Sequence, residues 1–105
     1  MESIKVDVKE SPIHGKGVFA GQTIMAEAYI GDYEGPITIE NSTYVLWVDR
    51  DGEEIGVRGE NDLKYLNHSS TPNAEFDDVK LYTLTTIKPG QEITIHYGAD
   101  WDDQP

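Results

Sequence analysis

Two stretches of the chain carry its most specific patterns: residues 61–73, NDLKYLNHSSTPN, and residues 90–98, GQEITIHYG. The first favours one helical turn and continues into a polar Asn-His-Ser block that a Pro-Asn pair closes. The second follows a Pro-Gly turn signal and alternates Ile93, Ile95 and Tyr97 with other residues, which is typical of a strand. A polar block and a following strand in this order are more specific than either one alone.

Strand signals also dominate the rest of the chain. Ile4, Val6 and Val8 alternate with charged residues. Residues 43–48 are rich in β-formers, and an Asp-Gly pair separates them from a weaker strand at 55–58, which predicts a hairpin. Further strands are predicted in the segments 18–20, 24–30 and 79–87. Many short strands joined by tight turns indicate a mostly β domain.

Composition limits the function. The chain of 105 residues is the length of a single domain, residues 1–105, with 20 acidic residues, 8 basic residues and a formal net charge of −12. Such a charge disfavours direct nucleic-acid binding and favours a basic partner. With no cysteine, disulfides and thiolate metal sites are excluded, and no metal is expected. The sequence has no signal peptide and no apolar run of about 18 residues, so we expect an intracellular, soluble protein without a membrane partner.

Isolated residues give only weak functional signals. His68 stands beside Ser69 and Ser70, but chain neighbours rarely meet as a catalytic pair, and a nucleophilic serine needs a sharp turn. The two glycines at 15 and 17 are, by themselves, typical of a turn before a strand. Pairs of carboxylates are expected by chance among so many acidic residues.

Four segments in order are more informative. Residues 11–20 (SPIHGKGVFA), 30–37 (IGDYEGPI), 61–73 and 90–98 together resemble the SET-domain family of protein lysine methyltransferases. The resemblance extends from residue 11 to residue 101 and lacks the family's zinc-binding flanking modules, so the chain looks like a minimal SET domain, similar to short viral and bacterial members. It implies a fold of several small twisted β-sheets with little helix, in which the C-terminal segment passes beneath a loop as a pseudoknot.

The resemblance also implies a cofactor, S-adenosyl-L-methionine. The residues implied to bind it are those of the Gly-x-Gly turn, the Asn-His pair and two later aromatic residues: Gly15, Lys16, Gly17, Asn67, His68, Tyr97 and Trp101. A glycine lets the backbone approach a ligand closely, and an amide offers both a donor and an acceptor to a zwitterion. Lys64 stands where the family often has arginine, and lysine lacks the forked donor geometry of arginine.

For catalysis, the resemblance implies Tyr97 and Tyr33, and it places Tyr33, Phe76 and Ile95 along the channel that binds the substrate lysine. A free lysine amine has a pKa near ~10.4 and is mostly protonated at neutral pH, so the site must favour the neutral amine. Tyr44 and Trp47 are interpreted as core residues of the variable central segment.

The implied function is S-adenosylmethionine-dependent methylation of a lysine in a protein, with a basic, histone-like segment as the expected substrate. Two alternatives remain open from the sequence: a SET-like module that binds cofactor or peptide with little or no catalysis, and a structural β domain without cofactor. Similarity to short viral members suggests a homodimer. The expected compartment is the cytoplasm, or the nucleus if the host is eukaryotic.

Overall fold

The computed structural model describes residues 4–40 and 44–97. In these ranges the regular structure is ten short strands and one 3₁₀ turn, Asp62–Tyr65. The strands in chain order are β1 Val6–Glu10, β2 Lys16–Ala20, β3 Tyr29–Asp32, β4 Ile37–Thr38, β5 Val45–Arg50, β6 Glu53–Arg58, β7 Asn67–His68, β8 Ala74–Asp77, β9 Lys80–Thr83 and β10 Glu92–Ile95. The chain is therefore a mostly β protein, as the sequence predicted.

The first sheet has the strand order β1-β2-β10-β7. The last strand of the described chain, β10, lies inside this sheet, antiparallel to β2 and parallel to the two-residue strand β7. The amide of Ser69 extends the β7 pairing by donating to the carbonyl of Ile95 at 2.9 Å. Inserting a C-terminal strand beside an earlier loop in this way is the arrangement expected of the pseudoknot.

Two three-stranded sheets complete the fold. The second has the order β3-β9-β8, and the third, built from the central segment, has the order β4-β6-β5. The predicted hairpin is β5 and β6, and its turn residues Asp51 and Gly52 have φ angles of 55° and 81°. Two consecutive positive φ angles are what a tight hairpin turn requires, because they match the twist of the flanking strands.

The core lies where the first two sheets meet. Its largest fully buried side chains are Val18 of β2, Leu81 of β9, Ile93 of β10, and Ile24 and Ile87 from the connecting loops. Ile24 and Ile87 form an isolated antiparallel bridge through two backbone hydrogen bonds of 2.8 Å. This isolated bridge joins two loops that cover the core, although neither loop forms a strand there.

Several elements differ from the sequence-based predictions. Residues 24–30 do not form one strand, because Glu27 adopts a positive φ of 60° and the strand begins only at Tyr29. Tyr44 and Trp47 were predicted in the core, but they are 40% and 37% exposed. Trp47 instead lies over the outer side of Gly56, where ring atoms lie 3.1 Å from the position of a Cβ. None of the helical structure in the described ranges could span a membrane.

Candidate active site

Three consecutive residues at strand β7 form the centre of the candidate site. The carbonyl of Leu66 accepts a hydrogen bond from the Tyr97 hydroxyl. The ring Nδ1 of His68 accepts one from the Tyr97 amide at 2.9 Å. Asn67 stands between them and holds the loop before β2. Leu66, just before β7, and His68 within it therefore fix Tyr97 at its side chain and its backbone.

The amide of Asn67 is almost completely buried, with 6% of the residue exposed. Its Nδ2 donates to the carbonyls of His14 and Lys16, both at 3.1 Å, and to Oε2 of Glu92 at 2.8 Å. These contacts join the Gly-x-Gly turn to β7 and β10. Asn67 is therefore a residue that shapes the turn, in addition to any contact with a ligand.

Glu92 connects the same turn to the C-terminal strand. Its carboxylate accepts the Ser11 hydroxyl at 2.7 and 2.9 Å as well as the amide of Asn67. A Cβ on Gly17 would overlap this carboxylate, so the glycine is needed to admit Glu92. The sequence interpretation gave Glu92 no role; its signal was a lone acid between Gln91 and Ile93 at the start of an otherwise apolar strand.

The other glycine of the turn faces open space. Gly15 has a φ of 46°, and no atom lies within 4 Å of the position that its Cβ would occupy. Oxygen atoms of His14, Lys16 and Glu92 all accept from the Asn67 amide, and each of the two carbonyl oxygens has a second lone pair. An open backbone surface lined by oxygen atoms fits a ligand with an ammonium or sulfonium group, so the residues present fit S-adenosylmethionine.

Tyr33 is seated beside the third sheet. It is 8% exposed, and its hydroxyl donates to the carbonyl of Tyr44 at 2.6 Å, which also accepts the amide of Gly59 at 2.7 Å. A Cβ on Gly59 would overlap the Tyr33 hydroxyl. The ring of Phe76 meets that of Tyr33 edge-on, with centroids 5.6 Å apart. Tyr33 and Phe76, predicted to share the lysine channel, are thus in contact.

The pKa values of both candidate catalytic tyrosines lie above the ordinary value of a tyrosine, although Tyr97 is 40% exposed. Desolvation, followed by the neighbouring Tyr97 and Tyr44, raises the pKa of Tyr33 to about 12. The pKa of Tyr97 is also raised, first by burial and then by Glu92 and Tyr44. Each hydroxyl donates a hydrogen bond to a backbone carbonyl. A phenol oxygen that donates one hydrogen bond can also accept one, so the Tyr33 oxygen can accept a hydrogen bond from an incoming group.

Tyr44 also belongs to the candidate site, although the sequence interpretation placed this residue in the core of the central segment. Its hydroxyl lies close enough to Tyr33 and Tyr97 to raise the pKa of both. Its ring meets Tyr65 edge-on at 6.0 Å, and the ammonium of Lys64 lies 5.2 Å from its centroid. The sequence interpretation missed Tyr44 because it lies in a β-rich stretch, residues 43–48, where a tyrosine is expected to pack in a core.

The remaining predicted residues occupy different positions around this centre. The Lys16 ammonium lies 5.7 Å from the ring centroid of Tyr65. Ile95 is 8% exposed and pairs with His68 across β10 and β7. Trp101 lies outside the described residues. Among residues 4–40 and 44–97, no three His, Cys, Asp or Glu side chains are grouped to hold a metal ion.

The profile of the SET-domain family matches residues 15–98, and the chain belongs to this family. The methyl donor of SET methyltransferases is S-adenosylmethionine, so the predicted family, fold and cofactor are confirmed at the level of the family. Its lysine methyltransferase chemistry is likewise a property of the family.

Individual relatives agree with this assignment. The chain is 24% identical to the histone-lysine N-methyltransferase MEDEA of Arabidopsis thaliana, over 92% of this chain and 18% of that protein. Chaetomium thermophilum Polycomb Repressive Complex 2 bound to S-adenosylmethionine superposes with a TM-score of 0.79 at 22% identity, over 92% of this chain and 15% of the matched chain. A Plasmodium falciparum protein described as a candidate histone methyltransferase gives a TM-score of 0.72 at 21% identity, over 98% of this chain and 100% of that one. The chain thus spans under a fifth of the first two relatives.

Proposed function

We propose that this chain transfers a methyl group from S-adenosylmethionine to a lysine side chain of a basic protein segment. The observation that supports this most directly is the role of residues 66–68. Leu66 and His68 fix Tyr97, while Asn67 fixes the turn that would hold the cofactor. The acceptor site and the donor site are thereby attached to one strand, which is what an in-line transfer between two ligands requires.

When bound, S-adenosylmethionine supplies a methyl group on a positively charged sulfur, and the electron pair of the broken carbon–sulfur bond passes to that sulfur. The turn at Gly15, Lys16 and Gly17, together with Asn67 and His68, would hold it. The Gly15 face leaves room for close backbone approach. The oxygen atoms around Asn67 favour the positively charged groups of this ligand over an anion.

The tyrosines act on the lysine amine. Because the hydroxyls of Tyr33 and Tyr97 donate to the carbonyls of Tyr44 and Leu66, their oxygen atoms accept hydrogen bonds from the amine N–H groups. This directs the nitrogen lone pair toward the methyl carbon. A partly desolvated channel beside Phe76 disfavours the ammonium form and so lowers the amine pKa.

The test is the substitution Tyr97→Phe. We expect methyl transfer to a mixed histone substrate to fall about 100-fold, the loss that a misplaced reacting group can cause, because the hydroxyl that orients the amine is lost. Cofactor affinity, measured by calorimetry, should change little, because the ring and the backbone bond to His68 remain. A variant with wild-type turnover would remove Tyr97 from the mechanism.

A second function, a binding module without catalysis, shares the cofactor site but not the role of Tyr97. It predicts S-adenosylmethionine binding by the wild-type chain with no methyl transfer to any lysine substrate. Labelled-cofactor binding and methyl transfer measured on the same preparation distinguish the two functions. The hydrogen bonds that fix the hydroxyls of Tyr33 and Tyr97 on backbone carbonyls favour the enzyme.

A further inference from the structure

The outward face of the second sheet combines acidic and aromatic side chains. Two cross-strand rows lie on it: Tyr29 and Glu75 flank Tyr82, and Asp32 and Asp77 flank Lys80. We call these six residues the outer face. Since successive strand residues point to opposite sides, Phe76 points the other way, toward Tyr33. Strand β8 thus carries outer-face residues on one side and the Phe76 ring on the other, and Phe76 also borders the cleft described below.

Half of the outer face already holds a basic side chain of the chain itself. The Lys80 ammonium lies 3.7 Å from Oδ1 of Asp32 and 5.5 Å from the ring centroid of Tyr29. The Tyr29 hydroxyl donates to the same carboxylate at 2.5 Å. A tyrosine ring and an adjacent carboxylate therefore bind one ammonium group on this face.

The other half of the outer face also has a tyrosine ring beside carboxylates, but no ammonium group of the described chain lies there. The ring of Tyr82 lies 5.7 Å from that of Tyr29 and forms part of a cleft of about 530 Å³ whose acidic lining is Glu27, Glu75 and Asp77. Within residues 4–40 and 44–97, the carboxylates of Glu75 and Asp77 make no hydrogen bond or ion pair. An aromatic ring with unpaired carboxylates beside it is suited to a second cation.

We propose that this cleft docks an arginine- or lysine-rich segment of the substrate protein, at a position separate from the lysine that is methylated. The proposal rests on the proposed function, since it concerns the substrate of the same site. Charge complementarity selects the occupant: a second copy of this chain would bring another net charge of −12 against an acidic surface, and like charges repel. An extended basic segment would place alternate side chains over Tyr82 and between the two carboxylates.

The experiment measures binding of a short fluorescein-labelled peptide of alternating arginine and serine, which contains no lysine and cannot be methylated on one. We expect the double substitution Glu75→Gln and Asp77→Asn to weaken binding about fivefold, as the loss of two exposed ion pairs implies. The control, Glu53→Gln and Glu54→Gln, removes the same charge from the exposed β5–β6 hairpin and should change binding by less than about twofold.

Equal weakening by both pairs of substitutions, or undiminished binding when citrulline replaces arginine, would overturn the docking proposal, since neither result requires a local cleft. Methylation of a lysine-containing histone mixture is measured in parallel. If methylation occurs but the substitutions at Glu75 and Asp77 do not change the affinity for the arginine peptide, the docking proposal fails and the proposed function stands. If the peptide behaves as expected and no lysine is methylated, the proposed function fails while the cleft remains a basic-peptide site.

Discussion

Tyr33 combines burial with a single backbone acceptor, and this has a consequence for stability at high pH. Its pKa in the folded chain is about 12, against about 10 for a tyrosine in an unfolded chain. The folded state therefore keeps a proton that the unfolded state loses. The stabilisation is fully present below pH 10 and is lost as the pH rises from about 10 to about 12.

The substitution Tyr33→Phe should accordingly flatten the pH dependence of stability in that window. Urea denaturation of the wild type should show an extra loss of up to about 3 kcal/mol between pH 10 and pH 12, which the variant lacks. Tyr82→Phe, at a half-buried tyrosine of β9, is the matched control and should retain the wild-type slope. Identical slopes for wild type and Tyr33→Phe would show that this hydroxyl titrates normally.

Substitution of Gly59, which faces Tyr33, tests whether methyl transfer depends on the position of the Tyr33 hydroxyl. Gly59→Ala would place a methyl group on the Tyr33 hydroxyl, and overpacking of this kind costs about 1–3 kcal/mol. We expect a lower free energy of unfolding and at least about tenfold slower methyl transfer, because misplacing a reacting group is costly. Gly31→Ala is the control, since its Cβ would lie 3.8 Å from a Leu63 methyl, an ordinary contact. Equal rates of methyl transfer for Gly59→Ala and Gly31→Ala would show that the position of the Tyr33 hydroxyl does not matter for catalysis.

Residue roles were predictable only where a motif carried them. Tyr97, Asn67 and the Gly-x-Gly turn could be proposed as site residues because they belong to ordered motifs, and the structure brings Asn67 to that turn; their roles stay predictions. Glu92 was missed because its partner Ser11 is 81 positions away, a separation at which periodicity carries no information.

At the scale of elements, the strands with a clear period or turn were predictable and the shortest ones were not. The β5–β6 hairpin followed from its Asp-Gly turn, and the helical turn predicted within residues 61–66 is the 3₁₀ turn Asp62–Tyr65. In contrast, β7 has two residues and β4 has two, too few for any pattern. The parallel pairing of β7 with β10 depends on tertiary contacts and was available only from the family resemblance.

Alanine substitutions of two asparagines test whether β7 supports the turn that would hold the cofactor. Asn67→Ala removes the donors to His14 and Lys16 and should weaken cofactor binding by about 1–3 kcal/mol, since the carbonyls of the Gly-x-Gly turn lose the group that positions them. Asn73→Ala is matched in chemistry: Asn73 donates to the Glu92 carbonyl and accepts from the Thr94 amide, both at 2.8 Å. It should lower the melting temperature with a smaller effect on cofactor affinity. Calorimetry with equal losses for both variants would show that Asn67 acts only through stability.

At the scale of the whole molecule, the dominant property is charge. Twenty acidic residues against eight basic ones give −12, and part of this charge is concentrated on the outer face and around its cleft. A field of this sign accelerates encounters with a basic protein. It should have little influence on the proposed transfer step, because that step depends on groups in direct contact with the amine.

We therefore expect salt to act on substrate capture and to leave the chemical step unchanged. Exposed charges are screened beyond ~8 Å at ~0.15 M salt, so raising salt from about 0.05 M to about 0.5 M should increase KM for a basic substrate several-fold while kcat stays nearly constant. A substrate peptide whose flanking basic residues are replaced by glutamine is the control, and its KM should respond much less. Steady-state kinetics across the salt series distinguishes this result from a loss of folding, which would lower kcat for both peptides. A KM for the basic substrate that does not depend on salt would mean that the acidity of the chain contributes to solubility alone.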